Sequence, residues 1–214
     1  MDTRSQDCNF HHVPVLFEEC MDGLAIKADG IYVDCTAGGG GHSAGIVERL
    51  GDNGLLISLD KDDEALAACE RRRVELGAGN KWVLKKTDFS RISEVLKEMN
   101  IEKVDGVLAD LGVSSHQIDT DERGFSYMKE GPLDMRMNQQ QDLSAEVVVN
   151  EYSESDITRI FRDYGEERYA GRIASAIVKK RAEAPIRSTT ALADIIRSAM
   201  PHAARKEEVR ALYP

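Results

Sequence analysis

The stretch Ile31-Tyr32-Val33-Asp34-Cys35-Thr36, followed by Ala37 and the four glycines Gly38 to Gly41, is the strongest constraint on how this chain folds. It reads as a short apolar strand ending in an acid, then a glycine loop, then a helical stretch from Ser43 to Leu50. Glycine lacks a Cβ, so the backbone can turn sharply and sit close to a bound molecule. The first N–H groups of the following helix point at that molecule with the positive end of the helix dipole behind them. Strand, glycine loop and helix in this order open an α/β protein whose ligand lies at the carboxyl end of the strand.

The pattern repeats downstream. Gly54 to Asp60 is a second apolar run ending in an acid, and Leu66, Cys69 and Leu76 predict a helix from Asp62 that is stopped by Gly77 and Gly79. Trp82-Val83-Leu84 is a third strand with Asp88 just beyond it, and Ile92, Val95, Leu96 and Met99 predict a helix ending near Asn100. Val104 to Leu111 is a fourth strand, with Asp110 near its end. Strands alternating with helices imply βαβ units, a parallel sheet and right-handed crossovers. Asp34, Asp60, Asp88 and Asp110 then fall at the sheet edge where ligands bind.

Upstream, His12 to Leu16 leads into a short amphipathic segment, Phe17–Leu24. After Leu111, residues 112–142 are rich in Gly, Ser, Asp and Gln and predict an extended loop, of a length that is usually functional. Residues 143–200 read as helices: one capped by Ser153 and running to Tyr164, one from Glu166 to Ala182, one opened by Thr189. The expected organisation is a core over 1–142 with a long active-site loop, a small helical insert over 143–200, and the start of a return to the core over 201–214.

At 214 residues and 42% hydrophobic, the chain can bury one core with a smaller attachment. No run approaches the roughly 20 apolar residues of a membrane span, and Met1 to Asp7 has no apolar signal-peptide core. Cys8, Cys20, Cys35 and Cys69 lack CxxC pairing, and they read as reduced thiols of a cytoplasmic protein. His11, His12, His116 and His202 have no metal-ligand spacing, so no metal is expected. The net charge of −10 argues against nonspecific coating of nucleic acid. It is unevenly spread: residues 1–156 hold 16 Lys and Arg against 31 Asp and Glu, and residues 157–214 hold 12 against 7. An acidic body with a basic nucleic-acid-facing part and ordinary solvated helix faces both fit that split.

Three ligands compete for the glycine loop. A P-loop is excluded, because no Lys-Ser or Lys-Thr follows the glycines. A dinucleotide fits Gly39-Gly40-Gly41-His42-Ser43-Ala44 read as GxGxxA, with Asp60 placed to hold a ribose. S-adenosylmethionine fits the acids better: Asp34 orients the loop or the cationic amino-acid part, Asp60 takes the ribose hydroxyls, Asp88-Phe89 meets adenine, and the fourth strand supplies the catalytic face. An adenosyl sulfonium carries no phosphate, so an acid-rich cleft suits it better than a pyrophosphate.

Four further blocks are specific. Gly39 to Ser43, Asp110-Leu111-Gly112-Val113-Ser114-Ser115-His116-Gln117, Asp121 to Met128 and Gly131 to Met137 resemble the bacterial small-subunit ribosomal RNA (cytosine-N4)-methyltransferases, which modify a cytosine in the decoding centre. Tyr164 to Ala170 and Arg172-Ile173-Ala174 extend the similarity, which runs from His12 to about Pro201. The resemblance implies a class I methyltransferase core, Rossmann-like, with a helical insert that helps to recognise RNA. It implies cofactor contacts from Gly40, Gly41, His42, Asp60, Phe89, Asp110 and Gln117. Members of the family continue beyond Pro214, so the sheet is expected to lack its later strands and to leave apolar surface exposed, with pairing of two copies as one outcome.

The exocyclic amine of cytosine is a poor nucleophile because its lone pair is delocalised into the ring. Transfer then needs the amine in line with the methyl group and an acceptor for its proton. Asp110 is the candidate for that catalytic role, with cofactor binding alone as its alternative. A target base would leave its stack, with Phe125, Tyr127 and the 131–137 loop to stack on it or close over it. Arg123, Arg136, Arg168 and Arg172 are candidate phosphate contacts. The rival readings are a nicotinamide-dependent oxidoreductase and an RNA-binding assembly factor without turnover.

Overall fold

The computed structural model describes residues 14–201. Cys8, His11, His12, His202 and the return segment 202–214 lie outside the described residues. The chain forms two compact units, Met1–Ser114 and Ser115–Pro214.

The first unit is a four-stranded parallel sheet of β1 (Ile31–Asp34), β2 (Leu55–Asp60), β3 (Trp82–Lys86) and β4 (Gly106–Leu108), in the order β3-β2-β1-β4. That order is the first part of the doubly wound arrangement, with its switch point between β1 and β4. Register places Ile31 beside Leu55, Leu56 beside Trp82 and Tyr32 beside Gly106. Helices α1 (Phe17–Leu24), α2 (Gly41–Arg49), α3 (Asp63–Glu75) and α4 (Ile92–Glu98) flank the sheet.

Strand side chains alternate between the two faces. Tyr32, Leu56 and Trp82 pack with Met21, Ile46, Val47, Leu50 and Cys69 on one face. Val33, Ile57 and Leu59 pack with Val95 and with Ile92, Leu96 and Met99 on the other. Because both faces are covered, β1 and β2 read as nearly unbroken apolar runs. β4 has the sheet's outer edge, and its Val107 is 48% exposed.

The second unit comprises α5 (Ser115–Asp119), α6 (Ala145–Glu151), α7 (Glu154–Asp163), α8 (Ala170–Arg181) and α9 (Thr189–Ala199). Its core is Val149, Ile157, Ile173, Ile177, Ile186, Ile196 and Leu133. Leu133 explains why the division falls after Ser114 rather than at 142: the loop that reads as part of the first unit is pinned to the helices. Glu146 N–H donates to Leu133 O, Ala145 N–H to Asp134 O, and Thr189 N–H to Gly131 O. Residues 112–142 are also less extended than their composition predicts, since they contain α5 and a short 3₁₀ turn at Asp121–Arg123. α8 begins at Ala170 rather than Glu166, because Glu166 takes a positive φ of 50° and the Glu167 carboxylate accepts from Tyr169 N–H.

Candidate active site

At the carboxyl ends of the strands, sheet parity decides which polar groups are buried. Asp34 and Ser58 share the face of Tyr32 and Leu56, beneath α2. Asp34 is fully buried. Its Oδ2 accepts from Ser43 Oγ at 2.6 Å, and its Oδ1 accepts from Thr36 N–H at 3.0 Å. Ser43 Oγ lies 2.8 Å from Ser58 Oγ, which accepts from the Trp82 indole N–H at 2.8 Å. These bonds run from β3 through β2 and α2 to β1. Burial pushes the Asp34 carboxyl upward, and the bonds from Ser43 and Thr36 oppose that shift. Ser43, Ser58 and Trp82 were not singled out from the sequence. The available signal was a serine inside the apolar run of β2, opposite another at the start of α2.

The glycine loop is held from two sides. Gly38 N–H donates to Asp60 Oδ2 at 2.9 Å, and Asp62 N–H donates to Asp60 Oδ1 at 2.9 Å. Burial raises the Asp60 carboxyl as well, against the pull of those donors. Below the loop, the Cys69 thiol faces the carbonyls of Gly38 at 3.5 Å and Ala37 at 3.9 Å. Burial pushes that thiol up to about 12, so it stays protonated and serves as a weak donor.

The glycines do different jobs. Gly38 has φ +49°, and a Cβ there would have only Thr36 O near it, at 3.8 Å, so that side is open. Gly40 has φ +76°, but its Cβ position lies 3.2 Å from Cys69 Sγ and from Arg72 Cδ, pressed onto the protein. The Cβ position of Gly41 meets Pro14 Cγ at 2.3 Å. His42 is buried; its ring Nε2 lies 3.2 Å from Val15 O, and the ring stacks on Phe17 at 6.1 Å. Gly40, Gly41 and His42 therefore turn toward α3 and the segment ahead of α1.

At the end of β3, Asp88 caps the turn Phe89–Arg91 by accepting from Ser90 N–H at 3.0 Å and pairs with Lys61 at 3.1 Å. Those bonds hold its carboxyl down to about 2. Lys61 follows Asp60 directly and is turned toward Asp88. Phe89 is 43% exposed. Asp110 lies just past β4, exposed, with its N–H donated to Thr36 Oγ1 at 2.8 Å. Gln117 sits on α5 in the second unit and is buried. The first unit thus gathers Gly40, Gly41, His42, Asp60, Phe89 and Asp110 at one end of its sheet.

In the second unit, Arg123 is buried and donates through Nη2 to the carbonyls of Arg136 and Met137, with its guanidinium 6.0 Å from the Phe125 ring. Arg136 pairs with Asp134 through two bonds. Neither arginine presents its charge to a phosphate; both brace the 121–137 loop. Phe125 is buried, and Tyr127 carries Arg197 over its ring at 5.7 Å, so these rings are engaged within the unit. Arg168 and Arg172 are exposed and form no ion pair among the described residues. No group of three or more His, Cys, Asp or Glu among the described residues could hold a metal ion, and no helix among them is long and apolar enough to cross a membrane.

A parallel 3-2-1-4 sheet, a glycine loop held by the β2 acid and acids beyond β3 and β4 define a Rossmann-like protein of the class I S-adenosylmethionine-dependent methyltransferase type. More narrowly, the chain belongs to the MraW methylase family, whose model matches residues 9–212. It is 50% identical over 196 residues to "Ribosomal RNA small subunit methyltransferase H" of Clostridioides difficile, covering 92% of this chain and 62% of that protein. It is 48% identical over 198 residues to the protein of the same name from Symbiobacterium thermophilum, covering 92% and 62%. The Heliobacterium mobile protein of that name is 50% identical over 199 residues, covering 92% and 63%. The chain therefore spans about 62% of the length of these relatives.

Membership of a methylase family makes S-adenosyl-L-methionine the cofactor. The residues present fit it. The open side of Gly38 leaves room for close approach beside the Asp60 carboxylate, whose oxygens keep lone pairs for a ribose diol. The neighbouring cation, Lys61, is matched by Asp88, so the charge on offer suits a sulfonium rather than a phosphate.

Proposed function

We propose that this protein methylates the exocyclic N4 amine of a cytosine in the decoding region of small-subunit ribosomal RNA. The observation that carries the reading is the Asp60 carboxylate beside the open side of Gly38, with Asp88 and Asp110 beyond the neighbouring strands, in a chain of a methylase family. The named relatives support the RNA as substrate.

S-adenosyl-L-methionine, when bound, supplies an electrophilic methyl carbon. Asp60 holds the ribose hydroxyls, Phe89 offers an apolar wall to adenine, and the open side of the loop at Gly38 lets the cofactor come close. Asp110, exposed beyond β4, accepts a hydrogen bond from the cytosine amine. That bond localises the nitrogen lone pair, and the Asp110 carboxylate then takes the proton that the methylated nitrogen releases. The base reaches this position by leaving its stack. Arg168 and Arg172, exposed on and just before α8, contact phosphates of the RNA and position it without reading sequence. The protein acts in the cytoplasm, where its RNA is. Pairing of two copies belongs to the same reading and is tested by sedimentation equilibrium.

The test is transfer of tritiated methyl groups to unmethylated small ribosomal subunits and to the bare RNA, followed by nucleoside mass spectrometry. N4-methylcytidine is the expected product. No incorporation into either substrate, or label on another atom, overturns the reading. Thermal shift by S-adenosyl-L-methionine but not by NAD is the accompanying expectation.

A further inference from the structure

Asp110 has little to hold it in place. β4 is only three residues long, and its last ladder bond is Cys35 N–H donated to Leu108 O at 2.9 Å. Ala109, Asp110, Leu111 and Gly112 are all exposed, and Gly112 takes φ +152°. Among the described residues, the hydrogen bond that Asp110 makes is the one from its N–H to Thr36 Oγ1, 2.8 Å long. Thr36 is itself anchored: its N–H donates to the buried Asp34 Oδ1 at 3.0 Å. Its neighbours are pinned on either side, Cys35 N–H to Leu108 O of β4 and Ala37 N–H to Leu59 O of β2. Thr36 thus stands at the switch point between β1 and β4, joined on one side to the most buried carboxylate of the sheet and on the other to the backbone of Asp110.

We propose that Thr36 is a positioning residue that sets Asp110 against the reacting amine by accepting the Asp110 N–H. The proposal rests on the reading of Asp110 as the acceptor. The contact with Asp34 is made chiefly by the Thr36 N–H at 3.0 Å, with the hydroxyl donating to the same oxygen at 3.5 Å while it accepts the Asp110 N–H at 2.8 Å. Thr36→Val keeps shape and the 3.0 Å backbone bond to Asp34 and removes the acceptor together with the long 3.5 Å donation to Asp34; Thr36→Ser keeps the hydroxyl and both of its bonds. Misplacing a reacting group by about 1 Å costs on the order of a hundredfold in rate.

The experiment compares the protein with Thr36→Val, Thr36→Ser, Asp110→Ala and the Thr36→Val/Asp110→Ala double variant. Amide hydrogen exchange at Asp110 is read by NMR, cofactor affinity by calorimetry and methyl transfer on small subunits by tritium. Thr36→Val should speed exchange at Asp110 and lower turnover at least about tenfold. Cofactor affinity should stay within about threefold, and Thr36→Ser should restore both readouts. In the Asp110→Ala background, Thr36→Val should change turnover less than about twofold, because residues acting as a unit are not additive. Unchanged exchange at Asp110 in Thr36→Val overturns the proposal, as does a fall in cofactor affinity that matches the fall in turnover. Multiplying effects in the double variant overturn it too. Full turnover in Asp110→Ala alone instead removes the reading of Asp110 as acceptor.

Discussion

Ser43 Oγ donates to Asp34 Oδ2 at 2.6 Å, joining the start of α2 to the end of β1 inside a site with no access to water. With Asp34 ionised, the donors run one way: Trp82 N–H to Ser58, Ser58 to Ser43, Ser43 to Asp34. The bond therefore holds the helix that follows the glycine loop onto the sheet beneath it. A hydrogen bond to a buried charged group contributes roughly 1.5–3 kcal/mol. Ser43→Ala should destabilise by about 2 kcal/mol and lower Tm by roughly 4–8 °C. A thermal melt within 1 °C of the parent, on the order of measurement error, would show that the bond contributes nothing.

Gly38 and Gly40 should respond differently to the same change. Gly38→Ala adds strain at φ +49° but its methyl enters open space beside Asp60. We expect a stability loss of about 1–2 kcal/mol with a fall in cofactor affinity of about tenfold or more. Gly40→Ala drives a methyl against Cys69 and Arg72, so about 2–3 kcal/mol of stability goes instead. Calorimetric titration and thermal melts on both variants separate the two roles.

Asp60→Asn tests the acid that holds the loop. Both carboxylate oxygens accept from backbone N–H groups, Gly38 on one and Asp62 on the other. An amide has one acceptor oxygen, so one of these donors would face an NH₂ group. Cofactor affinity should fall at least about tenfold, or about 1.4 kcal/mol. Affinity equal to the parent's in equilibrium dialysis would mean that Asp60 neither shapes the loop nor meets the ribose.

The buried acids and Asp88 have opposite pH signatures. Asp34 and Asp60 are raised by burial, so the stability they confer is full below 3.8 and is lost as pH rises through their folded values. Asp88 is lowered to about 2, chiefly by its bonds from Ser90, so its contribution is present above 3.8 and is lost as pH falls through about 2. Its side chain is 38% exposed, which limits that contribution to under about 1 kcal/mol. Asp88→Asn should lower Tm slightly at pH 7, with the gap narrowing below pH 4 and closing near 2 (about the folded value). A gap that stays constant across that range would contradict the assignment.

In the second unit, Gly124 has φ +72° and its Cβ position lies 2.2 Å from Pro132 O, backbone that is tied to the helices. Gly124→Ala should cost at least about 3 kcal/mol. Gly77, with φ +60° and nothing within 4 Å, is the matched control and should cost only about 1–2 kcal/mol on replacement by alanine. Equal losses in chemical denaturation would show that the loop yields to the added methyl.

β1 and β2 are legible in the sequence because each is an apolar run ending in an acid and covered on both faces; β3 is read from Trp82-Val83-Leu84, and β4 is trimmed from Val104–Leu111 to Gly106–Leu108, where Val107 is half exposed. The helices α3, α4, α7 and α9 follow from spacing and from starts such as Asp62, Ser153 and Thr189, with the cap of α9 found one residue earlier, at Ser188. The loop over 112–142 is less extended than its composition predicts because its order comes from distant partners. Leu133 sits in the helical core, and Arg123 holds carbonyls 13 and 14 residues away. Composition registers Gly, Ser and Asp as loop and has no means of registering such partners.

What the sequence by itself determined is the order of elements, the acids at the strand ends, the open loop between β1 and α2, and the family through its motif blocks. Those are local: a glycine, an acid and an apolar run carry their meaning within a few residues. Only the tertiary structure decided which acids are buried and which stay accessible. Asp34 and Asp60 share one face of the sheet, and register, which pairs Asp34 with Ser58, put Asp34 under α2 with Ser43 and left Asp60 two residues further on, at the loop. It also turned Gly40, Gly41 and His42 toward the protein and hung Asp110 from Thr36, 74 residues away in the chain. The physical reason is that burial and hydrogen-bond partnership belong to surfaces brought together by packing, and no window of sequence contains both sides.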